Sequence, residues 1–237
     1  MYYLFKNEVV DYNFFNSCKK QTILFIHGWG GNKNSFNQTI NLLKNQFNIL
    51  SITMPTIQTT VSIWSLFDYV NLIENILLLH QIESVIIICH SFGFRVAMLL
   101  NQKIYIEKIV VTGGAGIRKN LNIFQKIIKN NNKIILKDEK HKYFFKSIAS
   151  ADYLKLTTIN KETFKNIVNL NLKFVCKFNS PMLLFWGRKD RDTPIWIAHH
   201  LKKLTKSSLV TTNSDHFSYI KESAKFNHET LKFLKKT

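Results

Sequence analysis

The sequence predicts an α/β fold, a mostly parallel sheet with helices on both faces. Three observations carry this. Short runs that are apolar at every position recur along the 237 residues, as in 84–89 (SVIIIC) and 181–186 (PMLLFW). Such runs suit strands buried on both faces. They alternate with segments of helical spacing, the pattern of a parallel sheet linked by crossover helices. The composition, 46% hydrophobic and 20% charged, is that of a globular chain with a real core.

The elements follow in order. Residues 2–15 read as two short β segments and 22–27 (TILFIH) as a buried strand. Residues 35–46 are helical, with Phe36, Ile40 and Leu43 in register. Residues 48–54 form a strand ended by Pro55, and 63–80 a helix with Leu66, Val70, Ile73 and Leu77 on one face. A strand at 84–89, a helix at 92–102 and a strand at 106–112 come next. A Lys- and Asn-rich block with helical spacing fills 117–178. Residues 181–186 are a strand, 195–204 a helix, 208–212 a strand, and 217–235 a closing helix.

Charge and composition narrow the function. There are 33 Lys+Arg against 15 Asp+Glu, a net charge of +18. The excess is uneven: +2 over residues 1–116, +10 over 117–180 and +6 over 181–237. Arg occurs only at 95, 118, 188 and 191, and there is no nucleic-acid-binding module, so no nucleic-acid partner is expected. The Lys-rich block is expected at most to draw an anionic membrane surface; much of the bias reflects a chain rich in Lys, Asn and Ile on solvated faces. No apolar run approaches the ~20 residues of a membrane span. The start has no secretory pattern, and Cys18, Cys89 and Cys176 form neither a metal pattern nor a disulfide framework. A reduced, cytoplasmic protein is expected. No histidine and carboxylate spacing suggests zinc, and there is no phosphate-binding glycine loop, so neither metal nor cofactor is expected.

The strongest chemical signal is Ile88-Cys89-His90-Ser91-Phe92-Gly93, where a buried strand meets a helix. A strained strand–turn–helix junction exposes the central Ser as a nucleophile in the pattern Gly-x-Ser-x-Gly. Here Cys89 replaces the first Gly and Gly93 keeps the second. The competing reading of Ser91 is a plain cap for the following helix. Three further strand ends carry His27-Gly28-Trp29-Gly30-Gly31, Gly187-Arg188-Lys189-Asp190 with Pro194, and Ser214-Asp215-His216-Phe217.

These four motifs, in this order and each at a strand end, resemble the α/β-hydrolase superfamily, in particular small bacterial serine hydrolases and carboxylesterases with a short helical cap. The resemblance covers nearly the whole chain. It implies a core at 1–116 and 179–237 with a helical cap at 117–178. It implies a catalytic triad in the order Ser91, Asp190, His216. It places the oxyanion hole at the backbone N–H groups of Trp29 and Phe92, with His27, Gly28 and Gly30 as the supporting loop. Segment 64–69 (WSLFDY) is similar to the segment before the helix that precedes the elbow, and 150–153 (SADY) with 163–168 (TFKNIV) after it to the end of the cap. The usual Gly-rich turn after Pro55 is absent, and Phe94 stands where a further Gly is usual.

Other residues compete for these roles. Asp192 is the alternative acid, and Asp215 adjoins His216 but is expected to point elsewhere. His90 is expected to pack beneath the turn and His27 within its loop. His199 and His200 read as surface or helix-packing residues, and His80, His141 and His228 as surface residues without partners. The resemblance implies a small-molecule acyl ester or thioester substrate. A carbon–carbon bond hydrolase with the same triad, and a basic module that uses the fold without catalysis, are the alternatives. Aromatic residues of the cap such as Phe124, Tyr143, Phe144 and Phe145 are expected to pack the cap or line an apolar pocket.

Overall fold

In the computed structural model the described residues are 1–57, 61–117, 157–170, 172 and 178–236. Eight strands form one sheet in the order β1-β2-β4-β3-β5-β6-β7-β8. They are β1 (Tyr2–Phe5), β2 (Glu8–Phe15), β3 (Thr22–Ile26), β4 (Asn48–Ile52), β5 (Ser84–His90), β6 (Tyr105–Thr112), β7 (Met182–Gly187) and β8 (Ser208–Thr212). β1 and β2 pair antiparallel, β2 joins β4 antiparallel, and β4 through β8 run parallel.

Every residue of β3, β4 and β7 is buried. The two-residue period of a strand divides their side chains between two cores. Leu24, Ile26, Leu50 and Ile87 meet one face, with α2 (Leu66–Leu79), α3 (Phe92–Leu100) and α5 (Trp196–Thr205). Ile23, Phe25, Ile49, Ile86 and Ile88 meet the other, with α1 (Asn37–Leu43) and α7 (Ser223–Leu234). The sheet is therefore covered on both sides, as the apolar runs require.

Helix α2 begins at Leu66, three residues later than its spacing suggested, because Ser65 caps it. Ser65 Oγ accepts from the Asp68 N–H at 3.3 Å, and the Asp68 carboxylate accepts the Ser65 N–H at 2.7 Å. This reciprocal pair satisfies two otherwise orphaned donors. The closing helix also departs from expectation. It divides into α6 (Ser218–Lys221) and α7 at Glu222, whose φ of −116° and ψ of 40° leave the helical region. The turn brings Tyr219 and Phe226 into one buried cluster, ring centroids 6.0 Å apart.

His80, expected on the surface without partners, is half-buried instead. Its Nε2 lies 3.0 Å from the Tyr12 hydroxyl and its ring 4.3 Å from that of Phe14. Tyr12 and Phe14, two apart on β2, share the face that meets the end of α2. Of the segment 117–178, α4 (Thr158–Asn169) is described, and Ile117, Leu172 and Phe178 enter the core. Phe124, Tyr143, Phe144, Phe145, His141, Cys176 and the segment 150–153 lie outside the described residues.

The parallel strands all end on one edge of the sheet, where open α/β sheets place their ligand crevices. The loops after β3, β5, β6, β7 and β8 converge there, and they carry the four motifs that the sequence places at strand ends.

Candidate active site

Ser91 sits between β5 and α3 with φ 47° and ψ −111°. A positive φ in a non-glycine residue is strained by roughly 1–3 kcal/mol and persists only where its surroundings hold it. They do. The Ser91 N–H donates to Thr112 O at 3.1 Å, and its carbonyl accepts from the N–H groups of Phe94 at 3.0 Å and Ala115 at 3.1 Å. The Ser91 side chain makes no capping hydrogen bond to α3, so helix capping does not account for it.

Gly93 is required by close approach. A Cβ there would lie 2.3 Å from Ile26 O and 2.9 Å from His27 O, because the first turn of α3 rests on the end of β3. Cys89, at the position of the motif's first Gly, is fully buried between Ile26 and Val111 of the flanking strands. Burial pushes its thiol well above the usual range, so it is no thiolate nucleophile.

His216 and Asp190 meet in a buried pair: His216 Nδ1 lies 2.8 Å from Asp190 Oδ2. The carboxylate is fully engaged. Its Oδ1 accepts the N–H groups of Asp192 at 3.0 Å and Thr193 at 2.8 Å, and Oδ2 lies 2.8 Å from Thr193 Oγ1. Gly113, with φ +53°, brings the β6 loop against this pair; a Cβ there would come within 3.0 Å of His216 Nδ1. The same loop supplies Thr112 and Ala115 to Ser91, so residues 112–115 bridge the elbow and the His–Asp pair.

Neither rival acid is hydrogen-bonded to His216 among the described residues. Asp192 is exposed and makes its contact to Asp190 through its own backbone. Asp215 turns to Lys221 at 2.5 Å and to the Phe217 N–H. Among the described residues, ligand atoms of Asp190, Asp192 and His216 lie within 4.8 Å of one another. The four hydrogen-bond contacts already made by Asp190 leave its carboxylate little capacity for a cation.

Two further histidines support the site without facing solvent. His27 Nε2 lies 2.8 Å from the Met54 N–H, which can only donate, so Nδ1 carries the proton and donates to Gly28 O at 2.7 Å. Burial lowers His27 to a pKa of about 4. The His90 ring lies 4.6 Å from that of His216, and its Nε2–H donates to His216 O at 3.1 Å. Burial, reinforced by the charge of His216, pushes His90 well below its ordinary value. Of the rest, His199 and His228 are exposed and His200 is half-buried with an unpaired Nε2.

The loop after β3 reaches the elbow through Trp29, whose ring meets Phe92 edge-on at 5.7 Å. The Gly30 N–H is taken by Thr56 Oγ1 at 3.1 Å and that of Gly31 by Gly28 O at 3.0 Å. The N–H groups of Trp29 and of Phe92, the first residue of α3, have no partner among the described residues. One of these donors adjoins Ser91 in the chain, and the other lies on the loop whose Trp29 ring meets Phe92.

Helix α4 closes over these residues. Arg95 of α3, buried, donates from Nη1 to Ile167 O at 2.8 Å and Leu170 O at 2.9 Å, and from Nη2 to Val168 O at 3.4 Å. It places a cation on the negative end of α4. Asn160 Nδ2 donates to Ile57 O at 2.8 Å, Thr163 Oγ1 accepts the Trp64 N–H at 3.0 Å, and the Phe164 ring meets Trp29 at 5.2 Å. Sequence reasoning missed Arg95 and Thr193. Arg95 left one sign: an Arg in the middle of an otherwise apolar helix.

An eight-stranded, mostly parallel sheet with its loops gathered at the strand ends is the α/β-hydrolase fold. No family model matches the chain. The uncharacterized hydrolase YugF of Bacillus subtilis is 23% identical over 221 residues, 81% of each chain. A meta-cleavage product hydrolase of Pseudomonas fluorescens IP01 superposes with a TM-score of 0.72 at 16% identity, over 99% of this chain and 97% of its own. An esterase of Exiguobacterium antarcticum does so at 0.75 and 14% identity, over 100% and 99%. Among the described residues no helix is long and apolar enough to cross a membrane.

Proposed function

We propose that this protein is a serine hydrolase that cleaves a carboxylic ester or thioester of a small to medium acyl group through an acyl-enzyme intermediate. The observation that carries the reading is the buried His216–Asp190 pair, joined through residues 112–115 to a serine held at positive φ.

Serine is a weak nucleophile at neutral pH and needs a base. His216 takes the Ser91 proton as Ser91 Oγ attacks the carbonyl carbon, and returns it to the departing alcohol or thiol. Asp190 orients the imidazole and stabilises its cation. The oxygen of the tetrahedral intermediate is received by the N–H groups of Trp29 and Phe92; losing one such donor typically costs about 10²–10³ in rate. Water then attacks the acyl-enzyme, with His216 again as base. Trp29, Phe92 and Phe164 set an aromatic wall beside Ser91 that suits an apolar acyl chain.

Turnover of p-nitrophenyl esters of two to ten carbons tests the reading. Hydrolysis that is lost in Ser91→Ala supports it. No ester turnover together with cleavage of a dienone acid would move the assignment to carbon–carbon bond hydrolysis. Inactivity on both would leave a basic module that uses the fold without catalysis.

A further inference from the structure

Thr193 lies at the centre of the acid loop, buried, with a partner at every polar atom. Its N–H donates to Asp190 Oδ1 at 2.8 Å, and its carbonyl accepts the Trp186 Nε1–H at 2.7 Å. Its hydroxyl oxygen lies 2.8 Å from Asp190 Oδ2, 2.9 Å from Gly113 O and 3.3 Å from His216 Nδ1. A hydroxyl has one proton and two lone pairs. Two acceptors compete for that proton, Asp190 Oδ2 and Gly113 O, and the charged one makes the stronger bond. With the proton on the Asp190 side, a lone pair of Thr193 Oγ1 remains for His216 Nδ1. The nitrogen then faces two acceptor oxygens, Asp190 Oδ2 and Thr193 Oγ1. An unprotonated Nδ1 would set three lone pairs against one another; a protonated one is shared between the two oxygens.

We propose that Thr193 is a positioning residue that, together with Asp190, selects the His216 tautomer protonated at Nδ1. That tautomer leaves Nε2 free to accept a proton, which is the form a general base must take. The proposal rests on the reading of His216 as that base. The Thr193 carbonyl is itself held by the Nε1–H of Trp186, which ties this part of the acid loop back to the end of β7.

The test uses the full chain labelled with ¹⁵N-histidine, with the His216 signals assigned by their loss in His216→Gln. The ring-nitrogen shifts report which nitrogen carries the proton. The isosteric Thr193→Val removes the hydroxyl and keeps the volume; Thr193→Ala serves if Val does not fold, and Thr193→Ser restores the hydroxyl. In the wild type and Thr193→Ser, His216 is expected to be protonated at Nδ1. In Thr193→Val it becomes a mixture of tautomers, and kcat for an ester falls roughly 10- to 100-fold with KM little changed. A folded Thr193→Val that keeps the wild-type tautomer overturns the inference, whether or not its rate falls, because packing alone would then explain the residue. A tautomer shift in a protein that hydrolyses no ester upholds the positioning role and removes the hydrolase reading instead.

Discussion

The two walls of the site are built by opposite means. On the inner wall, Asp190, Thr193, His216, His27 and His90 are all buried and tied by hydrogen bonds within and between strand-end loops. On the outer wall, α4 is secured mainly near its ends, by Asn160 at the start and Arg95 at the finish, with Thr163 and the Phe164 ring between. A fully satisfied buried network admits one geometry, because each unmade bond in a low dielectric is costly. A helix held by separate contacts along its length can be shifted by changing one of them. On the proposed reading, the inner wall would fix the chemistry and the outer wall would set what reaches it.

That contrast is open to direct attack. The largest effect is expected from the inner wall: Asp190→Asn keeps the volume but loses the acceptor for His216 Nδ1–H, and ester kcat should fall by about 10³–10⁴. Steady-state kinetics with a p-nitrophenyl ester measures it. The next effect is on stability. His27 is buried neutral with a pKa near 4, against about 6.5 in the unfolded chain. The unfolded state then binds the proton first, so this contribution is complete above pH 6.5 and is lost as pH falls towards 4. It amounts to about 3 kcal/mol, and His90 acts in the same direction. Urea midpoints at pH 7 and pH 4.5 should show the loss, and His27→Gln should reduce it.

The outer wall predicts a different signature. Arg95→Leu leaves the Ile167, Val168 and Leu170 carbonyls without their cation and should destabilise the protein by about 2 kcal/mol. It should change KM and chain-length preference more than kcat, as a profile across p-nitrophenyl esters would show. An equal fall in kcat for every ester would mean that Arg95 supports the inner wall as well. The smallest effect belongs to Asp192→Asn. This exposed residue contacts Asp190 only through its backbone N–H, so kcat should stay within about 2-fold of wild type. A large loss would return Asp192 as a candidate acid.

What the sequence made legible follows the same division. Ser91, Asp190 and His216 stood out as candidates because each sits at a strand end in a motif of fixed spacing, and the structure pairs Asp190 with His216. The strands β3, β5 and β7 were legible because near-complete burial leaves a largely apolar run. Thr193 was not, because its role depends on Gly113 and His216, 80 and 23 residues away in the chain. His80 failed for the same reason: its partners Tyr12 and Phe14 come from a distant strand. Arg95 showed only as a charge on an apolar helix, and nothing in the chain could say that α4 would bring its carbonyls there. Local signals recover what a residue is; long-range packing decides what it holds.

The central claim is that Ser91 is an activated nucleophile, and covalent labelling tests it most directly. The intact protein is treated with a fluorophosphonate at neutral pH and its mass is measured, beside Ser91→Ala and His216→Ala. The wild type should gain one phosphonyl group, located on Ser91 by peptide mapping. Ser91→Ala should gain none, and His216→Ala should label far more slowly. A wild type that stays unlabelled, or a label that survives Ser91→Ala, would contradict the account.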